Sequence, residues 1–167
     1  MTVRVSVNYN DPRWKRFDLK NYVKLLLSKV IQIHQLKLND FSLSVLACSD
    51  AKIKELNMNY RNKNKATNVL AWPATDSFFW HYQEYKPYDQ NNHLFLGDIA
   101  ISYEICLREA FSQNIPFKKY CCKLLVHAIL HLLGYEHDLS VKTSKMQLME
   151  SRVLKSVLTN RPNFNSI

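Results

Sequence analysis

The run HAILHLLGYEHD, His127 to Asp138, sets three imidazoles within eleven residues of an otherwise mostly apolar segment. His127 and His131 are four apart. On a helix, four residues advance about 400° and about 6 Å along the axis, so both rings leave nearly the same face. Two such nitrogens can meet one zinc ion at about 2.0–2.1 Å each. A third ligand on the same straight helix would point elsewhere. Gly134 removes that difficulty, because glycine accepts the positive φ that turns a chain back after a helix. His137, three residues past the turn, can then swing to the same ion. Three histidines leave one position of a tetrahedral Zn2+ open to water, the arrangement of a catalytic site rather than a closed structural one.

The spacing H-x-x-x-H-x-x-G-x-x-H is also the skeleton of the metzincin peptidases, but those enzymes need a glutamate after the first histidine as general base. Here that position is Ala128, which accepts no proton. Peptide hydrolysis by the glutamate route is therefore excluded, while metal-activated water remains open. His34, His81 and His93 lack such company and read as surface or loop residues. Asp98 follows Gly97 in an apolar strand, where an isolated carboxylate is costly unless partnered. It could accept the outer N–H of a zinc-bound histidine, or equally cap local backbone or pair with a lysine. Met146 and Met149 fall at helical spacing, which suits core packing better than a metzincin methionine turn.

These residues need elements to hold them. Alternation of Val3, Val5 and Val7 predicts a strand to Tyr9, and argues against a signal peptide. Asp18 is placed to cap a helix from Leu19 to about His34. A strand starts at Phe41, and Asp50 is placed to cap a helix to about Tyr60. RNKNKAT, from Arg61, is a basic turn, and NVLAWP a short strand stopped by Pro73. Residues 74–93 lack a period and read as a long loop. HLFLGDIAIS reads as a strand to Ser102, followed by a helix to about Asn114. Pro116 suits the first turn of the next helix, which runs to Leu133, with Gly134 as its left-handed cap. Ser140 is placed to cap a last amphipathic helix. The order predicts an α+β fold, a small mixed β-sheet of about four strands packed with helices, one of them a zincin-like metal-site helix.

The 167 residues suit a single domain spanning 1–167, with a loose tail from about 159. No apolar run reaches the length of a membrane span. The four cysteines form no C-x-x-C pair, and buried free thiols in a reducing cytoplasm account for them. The formal charge is +9. It is uneven: residues 1–65 carry 13 basic and 5 acidic side chains, and the remainder 10 and 9. A positive half suits a polyanion such as nucleic acid, or an anionic membrane face. The six aromatics between Phe78 and Tyr88 could stack on bases or simply pack the loop down.

HAILHLLGYEH resembles the signature of the YbeY endoribonucleases, rRNA-maturation metalloenzymes whose usual form is close to H-G-x-L-H-L-x-G-Y-D-H. NMNYRNKNKATNVLAWP is similar to that family's N-x-x-Y-R segment followed by P-T-D-V-L-S-F-P, and LGDIAIS matches its L-G-D-I-x-I-S strand. The resemblance runs from about Phe41 to Leu158. It implies a zinc-dependent, single-strand-specific endoribonuclease acting in 16S rRNA 3′-end maturation and 70S ribosome quality control, with the ribosome or a small-subunit ribosomal protein as partner. It puts the metal on His127, His131 and His137 and the activity-linked arginine on Arg61. Lys63 and Lys65, in the same turn, are candidates to hold the RNA backbone. Departures include Ala66, Asn68, Ala71, Trp72 and Ala128, and Glu136 in place of aspartate. Asn68 removes a carboxylate, so no role of that aspartate carries over. Two alternatives stand beside this one: a non-catalytic rRNA-binding factor with structural zinc, and a metal hydrolase with another substrate. Oligomeric state is left open.

Overall fold

The computed structural model describes residues 2–36, 38, 40–74, 93–135 and 141–158. The expectations for the aromatic loop, His81, Glu136, His137, the Ser140 cap and the tail from 159 lie outside these residues.

Four strands form one mixed sheet. β1 (Thr2–Tyr9), β2 (Asp40–Cys48), β3 (Val69–Pro73) and β4 (His93–Ser102) stand in the order β1-β2-β4-β3. β1 and β2 are parallel, as are β2 and β4, while β3 pairs antiparallel with β4 and forms an edge. The helices are α1 (Leu19–His34), α2 (Asp50–Arg61), α3 (Tyr103–Ser112), α4 (Phe117–Leu132) and α5 (Val141–Leu158), with a 3-10 turn at Pro12–Arg16. The chain is therefore α+β, as the element order predicts. Among the described residues no helix is long and apolar enough to cross a membrane.

Alternation sorts the sheet's faces. Val3 and Val5 from β1, and Phe41, Leu43 and Val45 from β2, bury against α1 and α4. The other face carries a smaller core of Cys48, Ile53, Leu70 and Ala100 under α2. β4 changes parity midway. Leu94 and Leu96 face the main core, but so do Ile99 and Ile101. The register against β2 slips between Ser42 and Ser44, which leaves β4 one extra residue. Gly97, at φ 134°, takes up that bulge. A Cβ there would stand 2.1 Å from the Trp72 carbonyl oxygen, so only glycine lets β3 lie this close.

α4 is apolar nearly all round and sits in the middle of the helical layer. Lys123, His127 and His131 form its one less buried stripe. Met146, Val153 and Val157 of α5 complete the core beside it, the packing role expected of Met146. The four cysteines are buried free thiols.

Two expected caps differ, and Pro116 stands one position earlier than the expected first turn. Asp18 makes no side-chain cap and accepts instead from the Asn21 amide at 3.0 Å. Ser49, not Asp50, caps α2, accepting from Lys52 N. Asp50 is used at longer range: it accepts from Ser102 Oγ and from Ile105 N at 3.1 Å, tying α2 to the start of α3. Pro116 precedes α4 as its cap residue, and α3 ends at Ser112.

Candidate metal and catalytic site

The α4 C-terminus ends as its sequence predicts. Gly134 has φ 88°. Its N–H donates to His131 O at 2.9 Å, and Tyr135 N–H donates to Leu130 O at 3.1 Å. These are the paired bonds of a Schellman cap. The cap has a chemical consequence, because Tyr135 O, just past the turn, accepts from His131 Nδ1 at 2.6 Å. The Tyr135 hydroxyl bonds to His34 Nε2 at 2.9 Å, so the residue is held at both ends. His34 is thus no loose surface histidine. Its Nδ1 donates to Val30 O at 2.8 Å, and burial lowers its pKa, with help from Arg152. His93 likewise is half-buried, bonded to Ser42.

His127 is oriented from α5. Its Nδ1 donates to Glu150 Oε1 at 2.6 Å. Both outer ring nitrogens therefore face partners that only accept, a carboxylate and a carbonyl, and each must carry its ring's proton there. Neutral rings held this way turn two Nε2 lone pairs toward each other, 3.1 Å apart. A shared cation relieves that opposition. Two nitrogens on one tetrahedral zinc lie about 3.3 Å apart, so the spacing suits a common ion. Among the described residues no group of three metal-ligating side chains forms, and the expected third ligand, His137, lies outside them.

The two rings open into a groove of about 590 Å³, also lined by Arg61, Asn68, Lys123 and Glu150. Arg61 closes the last turn of α2. Asn62 follows at φ 53° and turns the chain away. Buried Asn57 donates from Nδ2 to Lys65 O at 2.8 Å and pins that turn. Arg61 therefore lines the same groove as the two histidines, while Lys63 and Lys65 stay exposed on the turn and do not line it.

Asp98 does not join them. The bulge at Gly97 turns it to the α2 face of the sheet, where it is exposed and accepts from Ser44 Oγ. The role of partner to a histidine N–H, expected as one option for Asp98, falls to Glu150 for His127 and to Tyr135 O for His131.

A second polar cluster sits at the groove wall. Asn68, just before β3, donates from Nδ2 to Glu109 Oε2 at 2.9 Å. Tyr120 Oη donates to the same oxygen at 2.6 Å. Burial, and then the Glu109 carboxylate, hold the Tyr120 phenol well above its usual range. The sequence marks neither Glu109 nor Glu150, since each sits on a helix where a solvated glutamate is ordinary.

Comparison with known proteins matches this architecture. Residues 5–158 match the family model described as Endoribonuclease YbeY. An Endoribonuclease YbeY of Jannaschia sp. (strain CCS1) is 32% identical over 152 residues, covering 91% of this chain and 94% of that protein. Its counterpart in Paracoccus denitrificans is 38% identical over 156 residues, covering 90% and 84%. The solution structure of TM1509 from Thermotoga maritima superposes with a TM-score of 0.57 at 22% identity, over 98% of this chain and 96% of that one, and supports the fold. On the family model and these relatives, the chain belongs to the YbeY endoribonuclease family.

Proposed function

We propose that this chain is a zinc-dependent endoribonuclease that cuts single-stranded RNA, within one domain, in 16S rRNA 3′-end maturation and ribosome quality control in the cytoplasm. The observation that carries the reading is the meeting of His127 and His131 Nε2, 3.1 Å apart, in a groove that Arg61 also lines. His127 and His131 would hold the metal, with His137 as third ligand. When bound, such an ion supplies Lewis-acid polarisation of a phosphoryl oxygen.

The protein's own groups do the rest. Glu150 and the Tyr135 carbonyl keep both rings in the tautomer that presents Nε2. Arg61 offers two parallel N–H donors to a phosphate and keeps its charge through the reaction. Lys123, one turn before His127, adds a cation against the charge that builds on the phosphodiester. Lys63 and Lys65 meet flanking phosphates on the exposed turn. Ala128 supplies no carboxylate at the position after His127, and Glu150, the glutamate that does reach this ring, is engaged with its Nδ1, so the donor groups of the groove carry catalysis without a glutamate base on that helix.

The test incubates labelled single-stranded and duplex RNA with wild type, His127→Ala and Arg61→Ala. Cleavage restricted to single strands, abolished by His127→Ala and strongly reduced by Arg61→Ala, is the expected result. Equal cleavage by all three proteins would assign the activity to a contaminant. Tight rRNA binding with no cleavage would make the chain a docking factor.

A further inference from the structure

Asn68 lines the groove beside Arg61 and His127, yet both helices behind it constrain how its amide points. Its Nδ2 lies 2.9 Å from Glu109 Oε2 on α3 and 3.5 Å from Tyr120 Oη on α4. Tyr120 directs its own proton to Glu109. A carboxylate only accepts, so turning the amide over would set its oxygen against Glu109. The NH2 edge is therefore committed to the helices. The backbone beneath is fixed too, since Ser102 N–H donates to Asn68 O at 2.9 Å. That leaves Oδ1. It accepts from Val69 N–H at 2.7 Å, and a carbonyl oxygen has a second lone pair.

We infer that Asn68 presents a fixed hydrogen-bond acceptor to the groove, and that its ligand is a neutral donor on the RNA strand: a ribose 2′-hydroxyl or an exocyclic base amine. The inference rests on the RNA-cleaving reading above and adds a subsite to it. Phosphate oxygens only accept, so they are refused by Asn68 and taken by Arg61 and Lys123. The groove thus divides its labour, with cations for the backbone and one neutral acceptor for the sugar or base. Glu109 is a positioning residue here. It touches no substrate and acts by holding the amide the right way round. An aspartate at position 68 could not make this contact, because two carboxylates would face each other across it.

The two donor sources separate in a binding experiment on the full-length protein. Fluorescence anisotropy measures a labelled single-stranded oligonucleotide. In one arm deoxyribose replaces ribose one position at a time. In the other, inosine replaces guanosine, purine riboside replaces adenosine and 2-pyrimidinone riboside replaces cytidine. Wild type should lose about tenfold in affinity at one position of one arm, the worth of one neutral hydrogen bond. Asn68→Ala should bring that ratio to about one. Asn68→Asp should do the same by setting two carboxylates together. Asn68→Asp combined with Glu109→Gln should restore it, because the new amide on α3 then donates to a carboxylate before β3 that still offers an oxygen to the groove. A preference that survives Asn68→Ala, or wild-type binding indifferent to both arms, overturns the inference. Cleavage in the same samples keeps the two readings apart. A cleaving wild type whose preference survives Asn68→Ala retains the nuclease reading and loses this one. A preference that Asn68→Ala abolishes, in a protein that cuts nothing, does the reverse.

Discussion

Glu150 offers the sharpest handle on the metal reading, because it holds His127 from a different helix. Its Oε1 accepts from His127 Nδ1 at 2.6 Å, with the carboxylate 14% and the imidazole 24% exposed. A half-buried bond to a charged partner is worth about 1.5–3 kcal/mol. Removing the outer partner of a metal-holding histidine costs about 10–100-fold in metal affinity, or about 1.4–2.7 kcal/mol. The two magnitudes agree, so most of the bond's worth should pass to the ion. Glu150→Ala should weaken zinc by about 10–100-fold. Glu150→Gln keeps a neutral acceptor and should lose about half as much free energy, since charge-assisted bonds are roughly twice as strong as neutral ones. The assay is competition against a chromophoric zinc chelator, with the unfolding midpoint of each apo-protein measured alongside. Docking of α5 rests on Met146, Val153 and Val157, so both variants should stay folded. Zinc affinity equal to wild type in a folded Glu150→Ala protein would refute the claim that His127 is a ligand oriented through this bond.

Two further outcomes follow from the fold. Gly97→Ala should destabilise the protein by roughly 2–4 kcal/mol in urea unfolding, from positive-φ strain plus a Cβ driven into the backbone at Trp72 and Ala74; a change within about 0.5 kcal/mol would show that β3 yields freely. His34 has its pKa lowered from 6.5 by burial, so below that value the unfolded chain binds the extra proton first. Its contribution is complete above pH ~6.5 and is lost as pH falls through the lowered folded pKa. The unfolding temperature of wild type should therefore drop more steeply from pH 7 to pH 5 than that of His34→Gln, and parallel curves would contradict the buried, bonded placement.

What the sequence makes legible is whatever obeys a local period. Val3 and Val5, or Phe41, Leu43 and Val45, declare their face by alternation, and Leu26, Leu27, Val30 and Ile31 declare theirs by helical spacing. His127 and His131 are legible for the same reason, since four residues on a helix fix their relative direction before any tertiary contact forms. The misreadings fall where a local rule meets a distant partner. Ser49 and Asp50 both cap well, and nothing local says that Asp50 is needed by Ser102, Ile105 and Arg108, more than fifty residues on. The sequence leaves Asp98 with several possible partners, and the bulge at Gly97, which exchanges the faces of β4, decides among them; that slip becomes visible only against the register of β2.

The orienting residues mark the same boundary from the other side. Glu150 lies 23 residues from His127, and Glu109 lies 41 from Asn68, each on an amphipathic helix where its position looks solvated. Tyr135 is the intermediate case. Gly134 announces a turn, and the sequence reading uses that turn to bring back His137. The described residues show it used one position after the glycine, where Tyr135 completes the Schellman cap with its N–H, fixes His131 with its carbonyl and reaches His34 with its hydroxyl. The orphan groups that any helix end must satisfy are here satisfied by a residue that also selects a tautomer. A substitution of Gly134 would accordingly disturb the chemistry of His131 as directly as it disturbs the end of α4.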